Sequence, residues 1–338
     1  MAGNPMLVGM GNPLLDISAE VGQDVFDKYE VLPGNAILAE EKHLPIYKEL
    51  SDNYKCDFIA GGATMNAIRV CQWMSQTPNT TGFMGCISND EFGQKLQESV
   101  KNDGVEARFQ IDENTPTGTC AVLVLNKERS LIANISAANN FTIDHLRANW
   151  SVIENAKFYY IASFFLTVTP ESIVEVGKHA AANGKTFAMN ISAPFLIEFF
   201  KDPMMQAFPY TDIVFGNETE ALNFSEVHGF GTEDFQQIAL RMAELPKETE
   251  RPRTVVITRG QDSTVVACNG QVTFYDTTPL APEQLVDTNG AGDAFVGGFL
   301  SELVKGSEVA RCVAAGHYAA REIIQQSGCV FPPTPNFS

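Results

Sequence analysis

The chain is short of positive charge. Its 338 residues include 23 Lys and Arg against 41 Asp and Glu, a formal net charge of −18. A nucleic-acid surface needs a basic stripe, so that class of partner is excluded. Any anion the chain binds must be met locally, by backbone amides, a few cations or a metal. No run of about 18 apolar residues occurs, which excludes a helical membrane span. The start lacks a basic segment leading into an apolar stretch, so no signal peptide is expected. The seven cysteines never fall as Cys-x-x-Cys. Cys56, Cys71, Cys86, Cys120, Cys268, Cys312 and Cys329 sit mostly in apolar runs, as small core residues of a reducing compartment. The five histidines are scattered without metal-ligand spacing. The expected location is the cytoplasm, with the nucleus as a further compartment.

What is present is ordinary globular composition, 44% hydrophobic and 19% charged, in a length that suits one large domain or one plus a smaller one. Apolar runs at Met6–Gly11, Phe83–Ile87, Phe158–Ala162, Thr186–Ile191, Asp212–Phe215 and Thr254–Thr258 read as strands. Most are separated by helical spacing. Repeated β-α-β implies an α/β fold, a mainly parallel central sheet with helices on both faces. One region breaks the rhythm. Phe109–Ile111, Thr117–Leu125 and Ser130–Ser136 read as β without helices between them, with a turn at 126–129. They are expected to form an antiparallel set which, with residues 14–39, makes a small β-rich lid. Gly61-Gly62 suits a hinge or a close backbone approach to a ligand.

Two glycine patterns are decoys. Gly9-Met10-Gly11 lacks the third glycine of a dinucleotide fingerprint, since Leu14 stands there and Pro13 continues extended. Gly184-Lys185-Thr186 follows a helix and precedes a strand, the reverse of a P-loop.

The informative stretch is Asp287-Thr288-Asn289-Gly290-Ala291-Gly292-Asp293. Leu285-Val286 leads in like a strand, and apolar residues at helical spacing follow. Glycines at the start of a helix let a polyanion reach amides that have no intrahelical partner and lie at the positive end of the dipole. Asp293 then stands at the rim of an anion cradle. A carboxylate there is unfavourable beside phosphate unless it does work, such as accepting a proton from an attacking hydroxyl. The plainer reading is a helix cap. Asn217 and Glu220 lie one turn apart and can order waters around a phosphate-bound cation, or simply cap a helix. Gly297 and Gly298 each cost about 1 kcal/mol inside a helix, which suggests tight packing or ligand approach.

Together, the Gly61-Gly62 hinge, Asn217-Glu218-Thr219-Glu220 and the Asp287–Asp293 stretch resemble the ribokinase-like (carbohydrate kinase) family. Gly11–Asp16, Ser130–Asn134, Phe164–Val168, Phe215–Ala221 and Asp287–Phe299 narrow the likeness, over nearly the whole chain, to its branch that phosphorylates adenosine. The resemblance implies transfer from ATP to the 5′-hydroxyl of adenosine, giving AMP in purine salvage. It implies Asp293 as base, Gly290, Ala291 and Gly292 as anion hole, and Arg129 closing with the lid. Asp16, Gly62 and Asn66 would hold the ribose. Asn12, Leu14, Cys120, Leu131, Ile135, Phe165 and Phe195 would wall the nucleoside pocket, and Asn289 would sit between nucleoside and phosphates. Asn217 and Glu220 would organise Mg²⁺, Glu220 through water, and Thr258 and Gly260 would touch ATP. Ala36 and Ala63 depart from the family pattern, where glutamine and serine are common, and each removes a polar group near the nucleoside. The expected division is a large domain of residues 1–13, 62–111 and 138–338 and a lid of residues 14–61 and 112–137, in a monomer. A sugar kinase of the same fold is the alternative. A nucleoside-binding protein without turnover would be expected to lack Asp293, Arg129 or Glu220.

Overall fold

Two sheets organise the chain, and the polypeptide crosses between them through glycines. The structure, a computed structural model, describes residues 5–34, 36–125 and 128–337. The strands are β1 (Leu7–Met10), β2 (Leu14–Glu20), β3 (Ala36–Leu38), β4 (Asp57–Gly61), β5 (Thr81–Ser88), β6 (Glu106–Asp112) and β7 (Thr119–Leu125). They continue as β8 (Glu128–Asn134), β9 (Phe158–Ala162), β10 (Thr186–Asn190), β11 (Ile213–Asn217), β12 (Thr254–Arg259), β13 (Asp262–Cys268) and β14 (Gln271–Tyr275). The large sheet has nine strands in the order β14-β13-β12-β11-β10-β9-β1-β5-β6 and is parallel except at β13 and β14. Its inner strands are buried on both faces and accordingly read as continuous apolar runs, Leu7–Met10 and Ile213–Phe215 among them. One face packs a core that includes Phe187, Phe208 and Phe224. The other packs Phe83, Tyr160, Phe295 and Phe299.

The small sheet has five strands in the order β3-β8-β7-β2-β4. Alternation along β7 sorts its side chains by face. Ala121 and Leu123 join Ile17, Phe26, Ile46 and Leu50 beneath the helices Gln23–Tyr29 and Pro45–Asn53. Cys120 and Val122 turn the other way, into a second apolar cluster with Leu14, Leu131, Ala133 and Ile135.

The antiparallel set expected over 106–136 is corrected in one member. Phe109–Ile111 lies in β6, which pairs parallel with β5 at the edge of the large sheet. The helix Glu91–Asn102 supplies the crossover, so β5, this helix and β6 form an ordinary parallel unit. Only β7 and β8 pair as the antiparallel hairpin. The turn expected at 126–129 falls partly outside the described residues, as does the side chain of Ala36. Among the described residues no helix is long and apolar enough to cross a membrane.

Candidate active site

The hinge comes first. β1 leaves the large sheet at Met10 and β2 enters the small sheet at Leu14, so residues 11–13 join the two. Beside them β4 ends at Gly61 and the hinge helix, Ala63–Ser75, begins. Gly62 holds φ +104°, and a Cβ there would fall 2.1 Å from the carbonyl oxygen of Asn12. A Cβ on Gly61 would meet the Asp16 carboxylate at 2.6 Å. Gly62 is therefore required by close approach of backbone and by its positive φ, whereas a Cβ on Gly61 would displace the Asp16 side chain. Asn12 is buried, and among the described residues its Oδ1 has no partner.

The motif helix, Ala291–Leu303, starts from Gly290 at φ +76°. The Leu285-Val286 lead-in is not a strand. It follows a single 3₁₀ turn, with both side chains exposed, and the Val286 and Asp287 amides donate to Ile324 O. Ala291 N turns back to Thr288 O at 3.2 Å. Among the described residues no protein acceptor faces the amides of Gly290, Gly292 or Asp293. The expected anion hole thus has its two glycine amides free, while the Ala291 amide is engaged. Gly297 and Gly298 serve packing. A Cβ on them would lie 2.5 Å from Ala67 O in the hinge helix and 2.3 Å from Ala315 O in the last helix, Val309–Ile323. The motif helix is wedged between these two neighbours.

Asp293 stands half-buried in the first turn and accepts a hydrogen bond from Asn66 Nδ2 at 3.0 Å. Burial pushes its carboxyl up to about 7, against the Asn66 hydrogen bond and with help from the negative charge of Glu220. Asp16 also lies at about 7, raised by burial, opposed by Arg129 and reinforced by Asp293. Glu220 is 6% exposed, and burial raises it to about 7. Asn217 and Glu220 form a reciprocal capping box: the Asn217 amide and Nδ2 donate to the two Glu220 oxygens, and the Glu220 amide donates to Asn217 Oδ1, each at 2.9 Å. The cap expected as the plainer reading is therefore real, and it aims both side chains at the cleft.

A cavity of about 110 Å³ joins these groups, lined by Ala63, Asn190, Asn217, Glu220, Thr258 and Asp293 together with Gly292, Phe164 and others. Phe164 and Phe195 lie with ring centroids 6.2 Å apart. Phe165, expected at the nucleoside wall, instead points into the large core with its ring against Phe141 at 5.3 Å. Its neighbour Phe164 takes the cavity position. In so short a 3₁₀ segment, Ser163–Thr167, adjacent side chains point apart, and sequence reading had no period to separate them. Leu14, Cys120, Leu131 and Ile135 do come together, on the cleft face of the small sheet. Gly260, at φ +55°, is open to solvent beyond β12. Thr258 Oγ1 bonds Gly216 O at 3.4 Å. Asn289 donates its amide to Asp287 Oδ1 at 2.9 Å.

Two residues gained no role from the sequence. Asn190 ends β10 and lines the cavity. Asp287, 7% exposed, forms an ion pair with Arg129 at 3.2 Å. A strand-end asparagine followed by Ser192 at φ +68° carries no distinctive pattern. Asp287 could have been singled out, because it opens the motif and faces no apolar periodicity. Among the described residues there is no cluster of three or more His, Cys, Asp or Glu able to hold a bare metal. At the cavity Glu220 and Asn217 offer a carboxylate and an amide oxygen, donors of the kind that suit a hydrated hard cation.

The model of the pfkB family of carbohydrate kinases matches residues 31–336. Adenosine kinase 1 of Arabidopsis thaliana is 56% identical over 98% of this chain and 98% of its own. The Anopheles gambiae adenosine kinase solved with P1,P4-di(adenosine-5) tetraphosphate superposes with a TM-score of 0.91 at 50% identity, covering 97% of this chain and 98% of that one. The Schistosoma mansoni adenosine kinase solved with adenosine and AMP gives 0.89 at 35% identity, over 97% of each. The chain belongs to the pfkB family of carbohydrate kinases, among its adenosine kinases.

Proposed function

We propose that the chain transfers the γ-phosphoryl group of ATP to the 5′-hydroxyl of adenosine, giving AMP and ADP. The observation that carries this reading is one juxtaposition. A carboxylate with a raised pKa, Asp293, stands beside free amides at a helix start and lines a cavity with Asn217, Glu220 and Asn190, while Leu14, Cys120, Leu131 and Ile135 form an apolar wall on the small sheet. A base near pH 7 is well matched to take the hydroxyl proton as the bond to phosphorus forms. The Gly290 and Gly292 amides and the positive helix end would stabilise charge on the transferred group. Ala291 would join them if its turn to Thr288 opens.

Asp16, Gly62, Asn66 and Asn12 would position the ribose, with Asn66 also holding Asp293. Leu14, Cys120, Leu131 and Ile135 would wall the base together with Phe164 and Phe195. Asn289 would lie between the two substrates, and Thr258 and Gly260 would meet ATP. Mg²⁺, held through water by Glu220 with Asn217 beside it, would neutralise phosphate charge. Residues 14–61 and 112–137 would move as a lid on the Gly61-Gly62 hinge, bringing Arg129 over the phosphates and excluding water. The enzyme would act as a monomer.

The test is the initial rate of phosphate transfer from ATP with Mg²⁺ to adenosine, ribose or water. Adenosine should exceed ribose by orders of magnitude. A faster rate with ribose or another free sugar would make the chain a sugar kinase with an apolar wall that serves only packing. Adenosine binding without transfer would make it a binding protein.

A further inference from the structure

The carboxylate of Asp287 gathers three distant parts of the chain. It is 4% exposed and accepts from the Asn289 amide at 2.9 Å in its own loop and from the Gly328 amide at 3.0 Å beyond the last helix. It also pairs with Arg129 Nη1 of β8 at 3.2 Å. Arg129 is itself 11% exposed, and its other guanidinium nitrogen donates to Ser327 Oγ. The arginine of the small sheet is thus clamped onto the loop that opens the motif helix. Its charge also reaches Asp16.

The geometry points to Asp287 as a positioning residue that docks Arg129 of the lid onto the catalytic loop in the closed, substrate-free enzyme. This rests on the proposed phosphoryl transfer, in which Arg129 serves the phosphates. A guanidinium enclosed without a partner is strongly unfavourable, and truncating one side of a buried pair is far costlier than exchanging partners. Asp287 solves that problem before ATP arrives. When phosphate oxygens enter, they compete with the carboxylate for the same guanidinium, so the arginine changes partner without passing through an unpaired state. The same carboxylate fixes the Asn289 turn from which the Gly290 to Gly292 amides follow. One side chain therefore ties lid closure to the shape of the anion hole. A merely structural aspartate would hold its own loop and the Gly328 segment but would leave the lid's dynamics alone.

The experiment is amide hydrogen exchange on the full-length, substrate-free protein, reading β7 and β8 against β9, β10 and β11 as an internal standard for global stability. Asp287→Asn keeps an acceptor for the Asn289 amide and removes the ion pair. Exchange in β7 and β8 should quicken by about tenfold or more, the effect of losing one charge-assisted hydrogen bond, while the large sheet holds its protection. Arg129→Gln should do the same, Arg129→Lys should recover part of the protection, and the double variant should exchange no faster than either single one. Ser327→Ala, which leaves the ion pair intact, should give a smaller effect on the same amides and serves if Asp287→Asn folds poorly. Unchanged lid exchange, multiplying effects in the double variant, or equal acceleration of the large sheet in every variant would overturn the assignment. Because no substrate is present, these outcomes are independent of whether adenosine is the acceptor.

Discussion

The two ends of the motif helix carry carboxylates in opposite states. Asp293, in the first turn, has one side-chain donor, Asn66, and its pKa is raised to about 7. Glu302, in the last turn, is 2% exposed yet receives Lys305 at 2.8 Å, Ser307 at 2.7 Å and Arg311 at 2.7 Å, and is held to about 2. The helix dipole alone would order them the other way, favouring the anion at the N-terminus by about 0.3–1 kcal/mol and opposing it at the C-terminus. Partners outweigh it, since each hydrogen bond to a charged group contributes about 1.5–3 kcal/mol. At the structural end every need of the carboxylate is met from within the chain. At the N-terminal end, among the described residues, the Asp293 carboxylate and the Gly290 and Gly292 amides have fewer protein partners, which is the end where the proposed phosphoryl transfer would act. Perturbed groups in clefts are where function is expected for this reason.

The largest expected effect breaks the catalytic end. Asp293→Asn keeps the shape and the Asn66 contact region but removes the base, and kcat should fall by roughly 10²–10⁴. Steady-state rates with saturating ATP and adenosine measure it, and a kcat near that of the parent enzyme would remove Asp293 from the proton transfer. Next comes the structural end. Glu302→Gln should cost about 2 kcal/mol of stability, one charged hydrogen-bond set weakened, read from the urea midpoint at pH 7. Its kcat should stay at the parent value, and a loss of rate comparable to Asp293→Asn would erase the distinction between the two ends. The stability from Glu302 is present above its unfolded value of 4.5 and is lost as pH falls toward about 2.

The proposed phosphate end rests on residues that are contiguous in sequence: Gly290, Gly292 and Asp293 lie in one turn, and Asn217 with Glu220 in another. Physical chemistry reads such local patterns directly. The proposed nucleoside wall draws on β2, β7, β8 and two later segments, and composition alone offered only apolar residues there. Resemblance supplied that set, and it failed by one position at Phe164 and Phe165, where a 3₁₀ turn has no strong facing rule. The large sheet was legible through its βαβ rhythm. The misassigned strand, β6, has residues half-exposed at a sheet edge and therefore looks like part of a hairpin. The Arg129–Asp287 contact spans 158 positions of sequence, from the small sheet to the loop before the motif helix, and no local signal announces such a pair.

The smallest expected effect sharpens the contrast most, because its sign is opposite at the two ends. Folded Asp293 titrates near 7 against an unfolded value of 3.8. Between those values the folded state binds more protons than the unfolded one, so this group makes the protein less stable as pH climbs from about 4 through 7. Replacing it by asparagine removes an ionised, poorly compensated carboxylate. The melting temperature of Asp293→Asn at pH 8 should therefore lie above the parent by about 2 °C, the shift a gain near 1 kcal/mol produces in a chain of this size. At pH 4 the parent carboxyl is already protonated and the gain should vanish. With Asp293 in its proposed role as base, activity runs against stability, since a base works only when ionised: kcat/KM should decline as pH drops below about 7, where Asp16 also gains its proton. A melting temperature at pH 8 that falls on Asp293→Asn would mean that the Asp293 carboxylate is as fully partnered as Glu302, and that the two ends of the helix do not differ in kind.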